Sequence, residues 1–267
     1  MLPFTYALRN LFRDPARLAQ TVGGAAIVVL LFIAALALNQ GMSSVLASSG
    51  SVKNVILMGK GSEESIERSE IPLVVESAAA TSIRGIREVL GVNAVSGEIF
   101  YQAPLRTEAG EQSQALLRGV LESSLLVHAS VQLIEGAFPQ SGEVMVGHLA
   151  HRKLGVDISQ LGLGKSVYFG ESELTISGIC IAPGTVLESE IWFDRDDLAV
   201  LTQRDSLSSV TLRMDTAEIE DVEVFTLQRN DLELAAIRED AYYAKLSAFY
   251  QPIKVMTWVT ALLVAAG

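Results

Sequence analysis

The chain has 267 residues, room for one large domain or two small ones. Apolar residues make up 49% and charged residues 19%, with a formal net charge of −11 and a mean hydropathy of +0.35. Such hydropathy excludes a disordered chain, the single cysteine, Cys180, excludes an intrachain disulfide, and the acid excess argues against nucleic-acid partners.

Hydropathy and acidity belong to different segments. Residues 1–42 hold three Arg and one Asp, whereas the rest hold 17 basic and 30 acidic groups. In the first 17 residues Phe4, Ala7, Leu8, Leu11 and Phe12 fall at helical spacing, and Arg9, Arg13 and Arg17 recur every four residues on another face. That pattern predicts an amphipathic helix over 1–17 lying on a membrane surface, with the arginines toward lipid phosphates. Pro15 permits a break where the chain turns into the bilayer.

No charge occurs between Arg17 and Lys53. Thr21 to Leu38 reads TVGGAAIVVLLFIAALAL. At 1.5 Å per residue this run covers about 27 Å, close to a bilayer's hydrocarbon core. It predicts a transmembrane helix over 18–42, against two rivals: a buried core helix, and a signal peptide cleaved near Ala35-Leu36-Ala37. The arginines before the span place the N-terminus in the cytoplasm and the rest outside it. Gly23 and Gly24 would allow close helix packing, or are merely small residues tolerated there.

Residues 43–240 read as an outer domain of mixed strands and helices, an α+β fold. Strands are expected at 52–58, 92–105, 114–120, 143–146, 166–169, 174–181, 191–193, 208–214 and 222–227. Helices are expected at 78–90, where Ile83, Ile86, Val89 and Leu90 share a face before Gly91, at 149–154 before Gly155, and as a turn over 197–203. Residues 241–267 read as a second amphipathic helix, with Tyr242, Tyr243, Leu246, Phe249 and Tyr250, running into a second span that is cut short. A soluble core helix is the rival reading of that end.

Chemical motifs are weak. Gly164-Lys165-Ser166 ends like a phosphate loop, but Ser159 stands where its first Gly belongs, and strand-like Val167-Tyr168-Phe169 follows where a helix is needed. His148 and His151 are three apart on a short helix, too few for a zinc site, and nothing brings His128 near them. Asp194, Asp196 and Asp197 lack the glycine and distal Glu of a calcium loop. Cys180 lies between Ile179 and Ile181 and reads as a buried thiol. No catalytic residue, cofactor or metal site is predicted.

Three stretches resemble permeases of the MacB/FtsX/LolC class of ABC transporters, in the N-terminal half that carries the periplasmic core domain. They are Ala7-Leu8-Arg9-Asn10-Leu11-Phe12-Arg13 before the span; Gly136-Ala137-Phe138 with Gly142-Glu143-Val144-Met145-Val146-Gly147 and Leu154-Gly155; and Leu163-Gly164-Lys165-Ser166 through Gly178-Ile179. The resemblance implies a two-part periplasmic domain: a membrane-proximal α/β part and a β-rich insert at about 119–205. It also implies an inner-membrane, multi-pass protein that acts as a dimer with a second copy or a homologous permease, and with a separate or fused ABC ATPase. Its motions would serve lipoproteins, peptides, drugs or envelope enzymes, with a periplasmic adaptor or lipoprotein as a further partner. One departure stands out: only residues 215–221 separate the strand at 208–214 from the next predicted strand, where a longer returning helix is expected. Two other functions are kept in view: a membrane-anchored extracytoplasmic binding or sensing domain, and an anchored hydrolase using Asp194, Asp196 or the His148/His151 pair.

Overall fold

The computed structural model describes residues 15–248 and, beyond them, 252, 255, 256 and 258–260. Arg9, Arg13, the first 14 residues of the helix predicted over 1–17, Phe249, Tyr250 and most of the C-terminal apolar run lie outside the described residues. The chain divides into two compact units, one of residues 45–246 and one of the two chain ends.

In chain order the elements are α1 (Pro15–Ser49), β1 (Asn54–Gly59), β2 (Ile71–Pro72), α2 (Val74–Ser82), β3 (Glu88–Val89), β4 (Val92–Asn93), β5 (Val95–Thr107) and β6 (Gln112–Val120). There follow α3 (Ser124–Val127), β7 (Gln132–Gly136), β8 (Glu143–Gly147), α4 (Ala150–Leu154), β9 (Ser166–Phe169), β10 (Ser172–Ile181), β11 (Ile191–Asp194) and α5 (Arg195–Thr202). The chain ends with β12 (Ser206–Leu207), β13 (Ser209–Arg213), α6 (Ile219–Gln228), β14 (Leu234–Arg238) and α7 (Glu239–Ala248).

In the unit of the chain ends, α1 is one unbroken helix that passes the predicted limit at 42. Its 35 residues rise about 52 Å, well over the ~30 Å hydrocarbon thickness. None of its most apolar window is buried. A core helix of a soluble protein would bury that surface, so the core-helix rival fails for this segment. The ring of Phe32 meets that of Trp258 edge to face at 5.5 Å, and Val255, Met256, Trp258 and Val259 are otherwise half or more exposed.

In the larger unit, β5 divides its pairing. Its first residues pair with β13, giving the antiparallel order β14-β1-β13-β5. Its remainder pairs with β6, and the succession β5-β6-β11-β8-β10-β9 returns to β5, closing a six-stranded ring. The short β7 adds to the free half of β10.

Strand alternation sorts the side chains onto two faces. Val55, Leu57, Leu117, Val146, Ile191 and Phe193 enter one large core that α2 and α6 also fill. On the other face Ile56, Met58 and Phe100 pack with Tyr242 and Tyr243 of α7, and Leu46 of α1 borders them. Met145, Trp192 and Cys180 form a third cluster.

Three expectations need correction. The helix expected at 78–90 is α2, which ends at Ser82. Gly85 has φ +82°, and a Cβ there would come within 2.7 Å of the backbone N of Ala217. The chain must therefore leave the helix, and Ile83 and Ile86 reach the core from a loop while Leu90 is 99% exposed. The strand expected at 222–227 is the helix α6. Glu218 and Asp221 form a reciprocal capping box, and Val222 and Phe225 are buried three apart while Leu227 is 77% exposed. This helix supplies the returning segment that looked missing. Finally, the predicted strand at 92–105 is divided at Ala94 between β4 and β5.

Candidate functional site

The strand parity that buries Ile56 and Phe100 also places charged residues on that face. Arg118 of β6 stands in register with Phe100 of β5 on one side and with Trp192 of β11 on the other. Its guanidinium lies 4.3 Å from the centre of the Phe100 ring and 5.6 Å from that of Trp192. Glu98, two residues before Phe100, shares the face.

These side chains form a buried ionic network. Arg118 Nη1 donates to Glu98 Oε2 at 2.6 Å, while Nε and Nη2 donate to the two oxygens of Glu190 at 2.7 and 3.0 Å. The indole N–H of Trp192 also donates to Glu190. His128, just after α3, sets Nε2 at 2.6 Å from Glu98 Oε1 and Nδ1 at 3.8 Å from Glu239 Oε1. Glu98, Arg118, His128, Glu190 and Glu239 are all buried. A fork of planar donors suits this arrangement, because one arginine satisfies two carboxylates.

Electrostatics follow from the geometry. Burial alone would raise the Glu98 carboxyl, but His128 and Arg118 outweigh it and hold it at about 2. Burial opposes the charge on Arg118, yet Glu190 and Glu98 raise its pKa well above the ordinary value. Burial also opposes the charge on His128, and Glu98 overcomes it, so the imidazole pKa is raised. Glu239 is raised chiefly by burial, which His128 only partly offsets.

Glu239 opens α7, and its Oε2 accepts from the backbone N–H of Ser51 at 2.8 Å and from Asn54 Nδ2 at 3.0 Å. Ser51 follows the end of α1, and Asn54 opens β1. Gly50 is the point of closest approach: a Cβ there would lie 2.5 Å from Asp240 Cα. Ser49 Oγ caps the same junction, donating to Val45 O and accepting from the N–H of Val186. The exit of α1 and the entry of α7 are thus tied to each other and, through His128, to the sheet. A cleft of about 270 Å³ borders them, lined by Ser51, Asn54, His128, Ser130, Arg213 and Glu239 among others.

The residues singled out from sequence lie elsewhere. Arg17 is exposed on α1. Gly23 and Gly24 have open space where a Cβ would stand. The rings of His148 and His151 meet at 6.3 Å, with His151 Nδ1 beside His148 O. Among the described residues no group of three or more His, Cys, Asp or Glu is arranged to hold a metal ion. Asp194 caps α5, accepting from the N–H groups of Asp196 and Asp197, and Asp197 accepts from Ser141 Oγ and Gly142 N. Burial pushes the Cys180 thiol up to about 12, so it is an inert group. Gly164 leads into β9, not a helix, and Lys165 pairs with Glu108 at 3.6 Å.

Sequence reasoning missed the network. The signal it offered was a charge inside an apolar alternating run: Glu98 within VSGEIFYQ and Arg118 within QALLRGV. His128 and Glu239 carried no comparable signal, because only tertiary packing brings them together.

Residues 18–224 match the family described as MacB-like periplasmic core domain. The fold is similar to the periplasmic region of MacB from Actinobacillus actinomycetemcomitans, with a TM-score of 0.54 and 13% identity over 78% of this chain and 94% of that one. It is also similar to the extracellular domain of the noncanonical ABC-type transporter YknZ from Gram-positive bacteria, with a TM-score of 0.52 and 12% identity over 69% of this chain and 99% of that one. Comparison with curated proteins gives no match. With more than half its length matched, the chain belongs to the MacB-like periplasmic core domain family.

Proposed function

We propose that this chain is the N-terminal half of a permease subunit of an ABC transporter. In this reading α1 crosses the inner membrane with its N-terminus in the cytoplasm, and Arg9, Arg13 and Arg17 face lipid phosphates. Residues 43–240 form the periplasmic domain, with 119–205 as its inserted part. The apolar C-terminal run begins a second span, and Gly23 and Gly24 are available for helix packing. A separate ABC ATPase supplies the energy, and a second permease copy completes a dimer. The work is done outside the membrane on a lipoprotein, peptide or drug, or on the cell envelope, with a periplasmic adaptor or lipoprotein as a further partner. The chain itself contributes no catalytic residue.

One observation carries this reading: Glu239 ties the exit of α1 to the entry of α7. A domain that only binds ligand needs one flexible tether. A domain driven from the membrane needs both of its roots held stiffly to the sheet, so that tilting either span moves the whole.

Two linked measurements test it. Protease added outside spheroplasts is expected to cut within residues 60–240, and an ABC ATPase is expected to co-purify with the chain from mild detergent. Shielding of residues 60–240 would overturn the topology. An accessible domain with no ATPase bound would favour a membrane-anchored binding or sensing domain instead.

A further inference from the structure

We propose that His128 is a proton-operated latch that ties the first turn of α7 to Glu98 of β5 when charged and loosens that turn when neutral. The proposal rests on the periplasmic placement above, which exposes the latch to the pH of the surroundings.

The geometry carries it. His128 faces Glu98 from β5 through Nε2 and Glu239 from α7 through Nδ1. Also directed at the cluster are Arg118 of β6, Glu190 before β11, Tyr243 of α7 and, across the cleft, Arg213 of β13. With His128 charged, two cations (Arg118, His128) face three carboxylates (Glu98, Glu190, Glu239). Loss of the imidazolium proton leaves Arg118 as the one cation among them in a buried setting, which is unfavourable.

The loss falls on one side. A neutral imidazole keeps a single N–H. The short contact to Glu98 retains it, because Glu98 is also fixed by Arg118. Nδ1 then presents a lone pair toward the Glu239 carboxylate, so attraction becomes repulsion at the first turn of α7. Glu239 still receives Ser51 and Asn54 at the edge of β1, but its link through His128 to Glu98 of β5 is gone. The cleft lined by His128 and Glu239 gives protons a route to the imidazole.

The sign follows from the raised imidazole pKa. The imidazolium's contribution is present below the ordinary 6.5 and is lost as pH rises through the raised folded value. Glu239 must itself be ionised for the pair, so its raised carboxyl bounds the latch on the acid side.

The test uses the full chain in detergent micelles, with isotope-labelled histidine imidazoles and backbone hydrogen exchange. The imidazole resonance that is absent from His128→Gln should titrate above pH 6.5. Exchange in α7, corrected for intrinsic pH dependence, should rise about tenfold across that titration, while α6 stays level. Both His128→Gln and the near-isosteric Glu239→Gln should lack the step, and Glu239→Gln carries the test alone if His128→Gln fails to fold. Titration below pH 6.5, or an α7 step that persists in Glu239→Gln, overturns the latch. Micelles have no sidedness and hold no ATPase, so this outcome is independent of the protease and co-purification tests.

Discussion

The backbone N–H of Ser51 donates to Oε2 of Glu239 at 2.8 Å across 188 positions of the chain. Ser51 follows the end of α1, Glu239 opens α7, and Asn54 Nδ2 shares the same oxygen. Glu239→Ala strands the backbone N–H of Ser51 and leaves the Asn54 amide with Val127 O as its remaining acceptor. Unsatisfied buried donors cost about 1–3 kcal/mol. Chemical denaturation of the full chain in micelles should show a loss in that range. A loss below about 0.5 kcal/mol, the usual effect of a surface change, would mean the tie contributes little.

Arg118 holds Glu98 and Glu190 together in the interior. Removing one member of a buried ionic group leaves uncompensated charge and costs about 3–5 kcal/mol. Arg118→Met should therefore destabilise severely, and Arg118→Lys nearly as much, since a point charge cannot fork to two carboxylates. Adding Glu98→Gln and Glu190→Gln to Arg118→Met should restore much of the loss. Failure of that rescue in thermal melts would show that the network's shape matters more than its charge.

Gly50 lies against Asp240 with no room for a methyl group. Gly50→Ala forces the roots of α1 and α7 apart, and overpacking of this kind costs about 1–3 kcal/mol. Limited proteolysis should reveal a new cut near residue 50 in the variant. An unchanged digestion pattern would contradict the close approach.

The acid limb of stability belongs to Glu98. Its carboxyl is lowered from 4.5 to about 2. Its contribution is therefore present above pH 4.5 and is lost as pH falls from 4.5 toward 2. Circular dichroism of the chain should hold to about pH 4.5 and decline below it. Glu98→Gln should lose that pH dependence from an already lower plateau.

Asp194 separates a structural from a chemical role. As a helix cap, Asp194→Ala should cost about 1 kcal/mol and leave stimulation of the proposed partner ATPase unchanged. Abolished stimulation with intact stability would revive a chemical role for that acidic cluster.

Much of the fold was legible in the sequence. The uncharged stretch from Arg17 to Lys53 announced α1, and short apolar runs announced β1, β8, β10 and β11, because these strands bury most of their apolar side chains. What misled was periodicity at short range. Val222 to Leu227 reads like a strand, yet the capping box at Glu218 decides for helix. Ile83 and Ile86 mimic a helix face from a loop that Gly85 bends. The candidate site was harder to read. A charge among apolar residues, as at Arg118, signals a buried pair but not its partners, and sequence separations of 20 and 72 to Glu98 and Glu190 hide the network entirely.

The most direct measurement is hydrogen exchange of the chain in membranes with the proposed ABC ATPase, with and without ATP. The amides of residues 50–54 and those of α7 should change together on ATP addition, because Glu239 joins them. A change confined to one segment, or none in either, would contradict the proposal that both roots are driven as a unit.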